Sequence, residues 1–182
     1  MEIEFKGGLC SAVNFFLFSS AVNVFFLLSS GCVDVWEPKV LQMGRGAHFD
    51  ISIETNLDWK EIDEALPKDC SIYLADSSPH LDGRDVSDDK NDRNNESNSR
   101  QYRGFEYDCI DYCNDHSVVV IGGETNGISS AAFDMFSRMR KRPGCRIHVP
   151  MMSGIDSLNS AIASSIILFE IGRQMKLHSH KQ

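Results

Sequence analysis

VVVIGGETNGIS (residues 118–129) and RIHVPMMSGIDSLNSA (residues 146–161) decide the fold of this chain. The first opens as an unbroken apolar run, Val118–Ile121, typical of a strand covered on both faces. It passes at once into a glycine-rich turn, after which Ser129 or Ser130 caps a helix through Ala131, Phe133 and Phe136. Glycines at a strand end let main-chain amides approach a ligand closely. GGETNG is neither G-x-G-x-x-G nor a Walker A loop, since no Gly-Lys-Ser/Thr follows. A tight turn and a ligand loop both remain open, and the carboxylate of Glu124 inside the turn favours the ligand loop. The second stretch predicts a strand over Arg146–Val149, ended by Pro150, then a glycine loop and a long helix opened by Asp156 or Ser157. Amides of Ser157, Leu158 and Asn159 at that helix start would suit an anion such as a carboxylate. Ordinary capping by Asp156 or Ser157 is the plainer alternative.

Outward from these stretches, strands and helices alternate. Val24–Leu28 is a short β-prone run closed by Ser-Ser-Gly. Asp34, Glu37 and Pro38 together predict a helix start, with the helix running through Val40, Leu41 and Met43 to Gly44 or Gly46. His48–Ile53 alternates, with Phe49, Ile51 and Ile53 on one face, and predicts a strand. Asp58 and Glu61 repeat the capping signature before WKEIDEAL, which stops at Pro67. SIYLA (residues 71–75) is a further strand. On the C-terminal helix, Ile162, Ser165, Ile166 and Phe169 share one stripe, taken as the buried one. The small residues Ala161, Ala163, Ser164 and Ser165 suit a core or a dimer seam equally. The pattern predicts an α/β fold with a largely parallel sheet flanked by helices.

With 182 residues, 42% hydrophobic and 24% charged, the chain can bury a real core, which excludes collagen, coiled coil and wholesale disorder. The net charge of −8 would repel phosphate backbones if spread evenly. It is not spread evenly. Residues 135–182 hold eight Lys/Arg against two Asp/Glu, led by Arg138, Arg140, Lys141 and Arg142. That island marks either a polyanion-facing surface or a solvated helix end. Residues 77–107 are rich in Asp, Asn, Ser and Arg and too poor in apolar groups to offset ordering entropy, so they read as a mobile acidic insertion, with order resuming near Ser117. Residues 1–20 form an atypical apolar N-terminus ahead of a domain over 21–182. Leu9–Leu28 carries no charge and could span a bilayer, but a buried helix followed by a buried strand fits its Asn and Ser content better. No transit peptide is visible, because Glu2 and Glu4 spoil an acid-poor leader. The six cysteines form no C-x-x-C and no metal-ligand spacing, and read as reduced structural thiols in an intracellular compartment.

Taken together, the two loops resemble motifs of the SpoU/TrmH branch of the SPOUT RNA methyltransferases. VVVIGGETNGIS matches the family's second motif, an apolar strand followed by Gly-x-Glu-x-x-Gly. IHVPMMSGIDSLNSAIASSIILFE matches its third, a strand, a proline, a glycine loop and Ser-Leu-Asn opening a helix that ends in Glu. SSGCVDVWEPKVLQMGRGAHFDISI is similar to the stretch after the first motif, most of all in the mitochondrial branch. The resemblance covers roughly residues 20–76 and 117–174.

It implies a C-terminal trefoil knot that holds S-adenosylmethionine, a homodimer, no metal, no membrane span, and methylation of a ribose 2′-OH in mitochondrial large-subunit rRNA. By position it assigns Gly122, Gly127, Val149 and Leu158 to the cofactor and Glu124, Ser157 and Asn159 to the methyl-transfer site. The chain departs from the pattern at three places. Phe16 stands where the family carries its first-motif arginine, Cys10 lies near the motif's asparagine, and Asp50 replaces an arginine after Gly-Ala-His-Phe. A chain truncated at its start, lacking the RNA-binding domain, is one expectation from these departures. A catalytically inactive knotted module that dimerises or binds RNA is the alternative.

Overall fold

A computed structural model describes residues 14–19, 24–76, 104–113, 116–123, 127–138, 144–152 and 157–180, the backbone alone at 14–19 and 137–138. Seven strands form one sheet: β1 (Asn14–Ser19), β2 (Val24–Ser29), β3 (Ser52–Leu57), β4 (Ser71–Ala75), β5 (Gly104–Glu106), β6 (His116–Ile121) and β7 (Gly144–His148). Their spatial order is β3-β2-β1-β6-β4-β7-β5. The helices are α1 (Pro38–Gly44), α2 (Trp59–Ala65), α3 (Ser130–Arg138) and α4 (Ser160–Ser179). β4 runs parallel to both β6 and β7, β5 parallel to β7, and β3 parallel to β2. Only β1 breaks the rule, pairing antiparallel with β2 on one side and β6 on the other.

β6 has the buried, two-faced character its apolar run predicts. Val118 and Val120 point into a cluster with Ile62, Leu66, Met135 and Phe136 from α2 and α3. Val119 and Ile121 point the other way, into a cluster with Tyr112, Ile147, Ile167 and Ile171. Strand side chains alternate between faces, so one continuous apolar strand supplies both cores. α2 is set by the predicted capping box. Asp58 Oδ1 accepts from the Lys60 and Glu61 amides at 2.9 and 2.8 Å, and Glu61 Oε2 accepts from the Asp58 amide at 2.8 Å. Ser129 caps α3, its Oγ accepting from the Ala132 amide at 3.3 Å.

Elsewhere the structure departs from the sequence reading. Within Leu9–Leu28, residues 14–19 are the strand β1 and not a helix. An apolar run without periodicity does not separate the two, and NFFLFS is aromatic-rich, which suits a strand. His48–Ile53 is not a strand either. Arg45 and Gly46 take left-handed φ values of 47° and 87°, and Ala47–Phe49 then forms a 3₁₀ turn. Trp36 lies against the rings of His48 and Phe49, at 5.9 and 6.1 Å between centroids. The strand follows at Ser52, and Phe49 stays exposed. α1 is preceded by Glu37 and not by Asp34, whose carboxylate instead accepts from the Trp36 amide at 3.0 Å.

Order also returns earlier than Ser117. Gly104–Glu106 adds β5 to the sheet edge, and Tyr112 is fully buried just beyond it. The remainder of the acidic stretch, 77–103, lies outside the described residues. Gln174 on α4 clamps the segment that follows β5, accepting from the Tyr112 amide at 3.0 Å and donating to the Ile110 carbonyl at 2.9 Å. The Tyr112 hydroxyl donates to the Tyr107 carbonyl at 2.7 Å, and burial pushes its ionisation far above the usual phenol range. Burial likewise pushes the Cys145 thiol up to about 11, so it stays a protonated packing group at neutral pH. Among the described residues no helix is long and apolar enough to cross a membrane.

α4 turns the opposite way from the expected stripe. Ser164, Ile167 and Ile171 are buried against the sheet, whereas Phe169 is 80% exposed and Ile162 53% exposed. The helix is apolar around much of its circumference, and spacing alone does not say which stripe meets the sheet.

Candidate functional site

The carboxyl ends of β4, β6 and β7 and the start of α4 converge on a cavity of about 340 Å³. Parallel sheets place ligands at this end, where helices begin and loops diverge. Gly122, Gly123 and Gly127 form one wall, Val149 and Met151 a second, and Ser157, Leu158 and Ser160 a third. Ile121, Ile147 and Ile167 line it as well, all of them buried in the core.

The glycine turn closes on itself. The Gly123 and Gly127 amides donate to each other's carbonyls at 3.0 and 2.9 Å, and Gly127 takes a φ of 62°. Gly122 is required by proximity. A Cβ there would lie 2.3 Å from the Gly127 carbonyl carbon and 2.5 Å from the Ile128 nitrogen, both main-chain atoms. No side chain fits without moving the turn, so the wall stays made of bare backbone.

At the other wall, α4 begins at Ser160, three residues later than Ser157. Neither predicted cap is used: Ser157 precedes the helix in extended chain, and Asp156 lies outside the described residues. Asn159 is the cap, its Oδ1 accepting from the Ala161 and Ile162 amides at 3.0 and 3.3 Å. Those are two of the amides an anion would otherwise meet. At this helix start Ser157, Leu158 and Ser160 line the cavity, and Asn159 does not. Replacing Asn159 by alanine is expected to lower stability by about 1 kcal/mol through loss of the cap. Chemical denaturation would check this, and an unchanged midpoint would show that the cap carries no weight.

The structure thus brings together Gly122, Gly127, Val149, Leu158 and Ser157. It places Asn159 beside them as a cap, and Glu124 lies outside the described residues. It also adds Asp76, His148 and Met151, which the sequence reading had not singled out. Asp76 follows SIYLA directly, and a polar residue at the carboxyl end of an apolar strand was the available signal. Of the residues that lead the basic island, Arg140, Lys141 and Arg142 lie outside the described residues. Glu106, Asp108 and Cys109 gather at the surface within 4.8 Å of one another, none of them among the residues that line the cavity.

Residues 18–169 match the SpoU rRNA Methylase family. The chain belongs to that family. This SpoU chain is 36% identical over 171 residues to rRNA methyltransferase 3, mitochondrial, of Mus musculus, covering 83% of itself and 40% of the relative. It is 34% identical over 172 residues to the Homo sapiens protein of the same name, again covering 40% of it. The SpoU chain therefore spans about two fifths of the length of the curated relatives it matches. Among solved structures it resembles the SpoU methyltransferase AviRb from Streptomyces viridochromogenes in complex with AdoMet. The TM-score is 0.52 at 20% identity, over 81% of this chain and 48% of that one. The AviRb structure described without AdoMet in its name superposes with a TM-score of 0.57. These likenesses support the α/β sheet with flanking helices seen here.

Proposed function

We propose that this chain is the cofactor-binding and methyl-transferring part of an rRNA 2′-O-methyltransferase that uses S-adenosylmethionine and acts on mitochondrial large-subunit rRNA. The observation that carries this is the cavity between the Gly122 turn and the Ser157–Leu158 segment, where two stretches far apart in sequence meet. Its donor set fits the cofactor. Bare backbone at Gly122 and Val149 suits a flat heterocycle, the α4 start suits a carboxylate, and Leu158, Met151 and Ile121 give apolar walls. A volume of about 340 Å³ lies within the range for small-molecule sites. When bound, S-adenosylmethionine supplies an activated methyl on a sulfonium. The chain's part is to align a ribose hydroxyl with it and to exclude water. Ser157 and Glu124 are assigned to the hydroxyl side, and Asn159 caps α4. A trefoil knot over the C-terminal strand, loop and α4 belongs to the same reading. So does mitochondrial localisation, which the relatives' names support.

The homodimer belongs to α4. Its outward stripe of Ile162, Phe169 and Leu177, with Ile166 half-buried among them, leaves apolar surface without cover, Phe169 above all. Such a stripe on a long helix is suited to a second copy of itself. Phe169→Asp should shift the chain from dimer to monomer in light scattering; an unchanged mass would remove α4 from the seam.

Calorimetric titration of the chain with S-adenosylmethionine tests the core of the reading, followed by tritium transfer to large-subunit rRNA. No binding by the wild-type chain would defeat it. One observation favours a second reading, a ligand-binding module without turnover. Phe16, at the family's arginine position, lies in β1 between Phe26 and Val119 and offers no proton acceptor. Binding without transfer is the result that would select it.

A further inference from the structure

Asp76 is the one carboxylate among the described residues that line the cavity. It stands directly after β4, and its amide donates to the Ile147 carbonyl at 3.0 Å, which fixes it beside His148 and Val149 on the β7 wall. Its Oδ2 accepts from Arg146 Nη2 at 2.5 Å. The Arg146 side chain is only 4% exposed and that of Asp76 14%. The guanidinium lies 6.0 Å from the centre of the Phe133 ring, wedged between α3 and the sheet. Arg146 Nε is buried with no hydrogen-bond partner. Packing alone does not account for such a pair. A buried ion pair is no better for stability than apolar residues of the same volume, and it leaves a buried donor unsatisfied.

The pair does something an apolar replacement would not. Arg146 neutralises Asp76 and locks its orientation, so the carboxylate presents a fixed acceptor surface to the cavity without a net charge. An ionised carboxylate offers about four acceptor sites and no donor, so it selects for ligand groups that donate. The start of α4, the positive end of its dipole, also lines the cavity and suits the acidic end of a ligand. A ligand carrying a carboxylate at one end and a ribose at the other is thereby oriented with its ribose toward Asp76. Building on the cofactor reading above, we propose that Asp76 is the specificity-determining residue for the cofactor's ribose, accepting its hydroxyl protons, and that Arg146 is the positioning residue that aims it.

The test is calorimetry on the full chain with S-adenosylhomocysteine and with its 2′,3′-dideoxyribose analogue. The wild-type chain should bind the parent at least about tenfold more tightly, because a site built to accept hydroxyl donors rejects a ligand that lacks them. In Asp76→Asn, whose amide turns N–H toward the ligand once its oxygen is held by Arg146, the ratio should fall to within about twofold of one. Arg146→Met should lower the ratio as well, and a purely structural role for Arg146 would weaken both ligands equally and leave the ratio unchanged. Should Asp76→Asn fail to fold by circular dichroism, Asp76→Asn/Arg146→Met removes the stranded charge and takes its place, with the same collapse expected. Equal wild-type affinity for both ligands would overturn the proposal, as would a ratio that survives in the variants. If the wild-type chain binds neither ligand, the cofactor reading itself fails and the proposal falls with it.

Discussion

Gly122→Ala will lower the affinity for S-adenosylmethionine at least about tenfold and destabilise the chain by about 1–3 kcal/mol. The added Cβ would sit 2.3 Å from the Gly127 carbonyl carbon and 2.6 Å from its oxygen. Main-chain atoms, unlike the end of a flexible side chain, do not rotate away. Relief requires the turn to move outward by about an ångström, which pulls the Gly123 and Gly127 amides off their mutual carbonyls. The same movement displaces one wall of the cavity. Calorimetry would give the loss of binding and thermal unfolding the loss of stability. Wild-type affinity in this variant would remove the Gly122 turn from the site. A loss of stability with binding intact would have the same meaning.

Gly144→Ala is expected to have the largest effect on the fold itself, about 3 kcal/mol or more. Its Cβ would fall 1.9 Å from the Ile72 carbonyl oxygen, in the backbone of the adjacent strand. β4 and β7 pair at this position, and β7 supplies Ile147 to the core and leads into Val149 at the cavity. Separating the strands therefore cuts β7 and β5 off from the rest of the sheet. In a chain of this size a loss of 3 kcal/mol lowers the melting temperature by about 6–12 °C. Gly172→Ala is the internal control and should have the opposite sign. Nothing lies within 4 Å of a Cβ at Gly172, which sits mid-helix on the exposed side of α4. Alanine there should gain about 0.5–1 kcal/mol from reduced backbone freedom of the unfolded chain. If both substitutions destabilise equally, the contacts at Gly144 are not what the change reports.

The legible parts of this protein were those where one physical signal acts alone. Val118–Ile121 is apolar on every residue, and only a strand with two covered faces needs that. Asp58 and Glu61 satisfy each other's backbone reciprocally, and α2 begins where they stand. That Gly122, Gly127, Val149, Ser157 and Leu158 line one cavity was legible because a strand end, a glycine turn and a helix start each leave a local mark. What escaped the sequence depends on partners far along the chain. β1 carries no alternation, and β-pairing on both sides is what makes it a strand. Phe49 and Ile51 alternate convincingly, yet the left-handed pair Arg45 and Gly46 turns that segment into a 3₁₀ coil. On α4, two apolar stripes compete, and the sheet chose Ile167 and Ile171 over Ile166 and Phe169. Asp76 was missed because its role depends on Arg146, seventy residues away.

The position of β1 also bears on how the chain reaches this state. Asn14–Ser19 pairs with His116–Ile121, so the centre of the sheet is closed by partners about a hundred residues apart. β4 joins β6 and β7 across shorter but still long connections, Ser71 pairing with Ser117 and Ile72 with Gly144. Loop-closure entropy must be met before any of those ladders forms, which makes such a topology slow to assemble. On a ribosome, β1, β2 and β3 can pair with one another, but β4 and β5 emerge before any strand they pair with. Refolding of the purified chain is expected to be limited by the docking of β6 between β1 and β4.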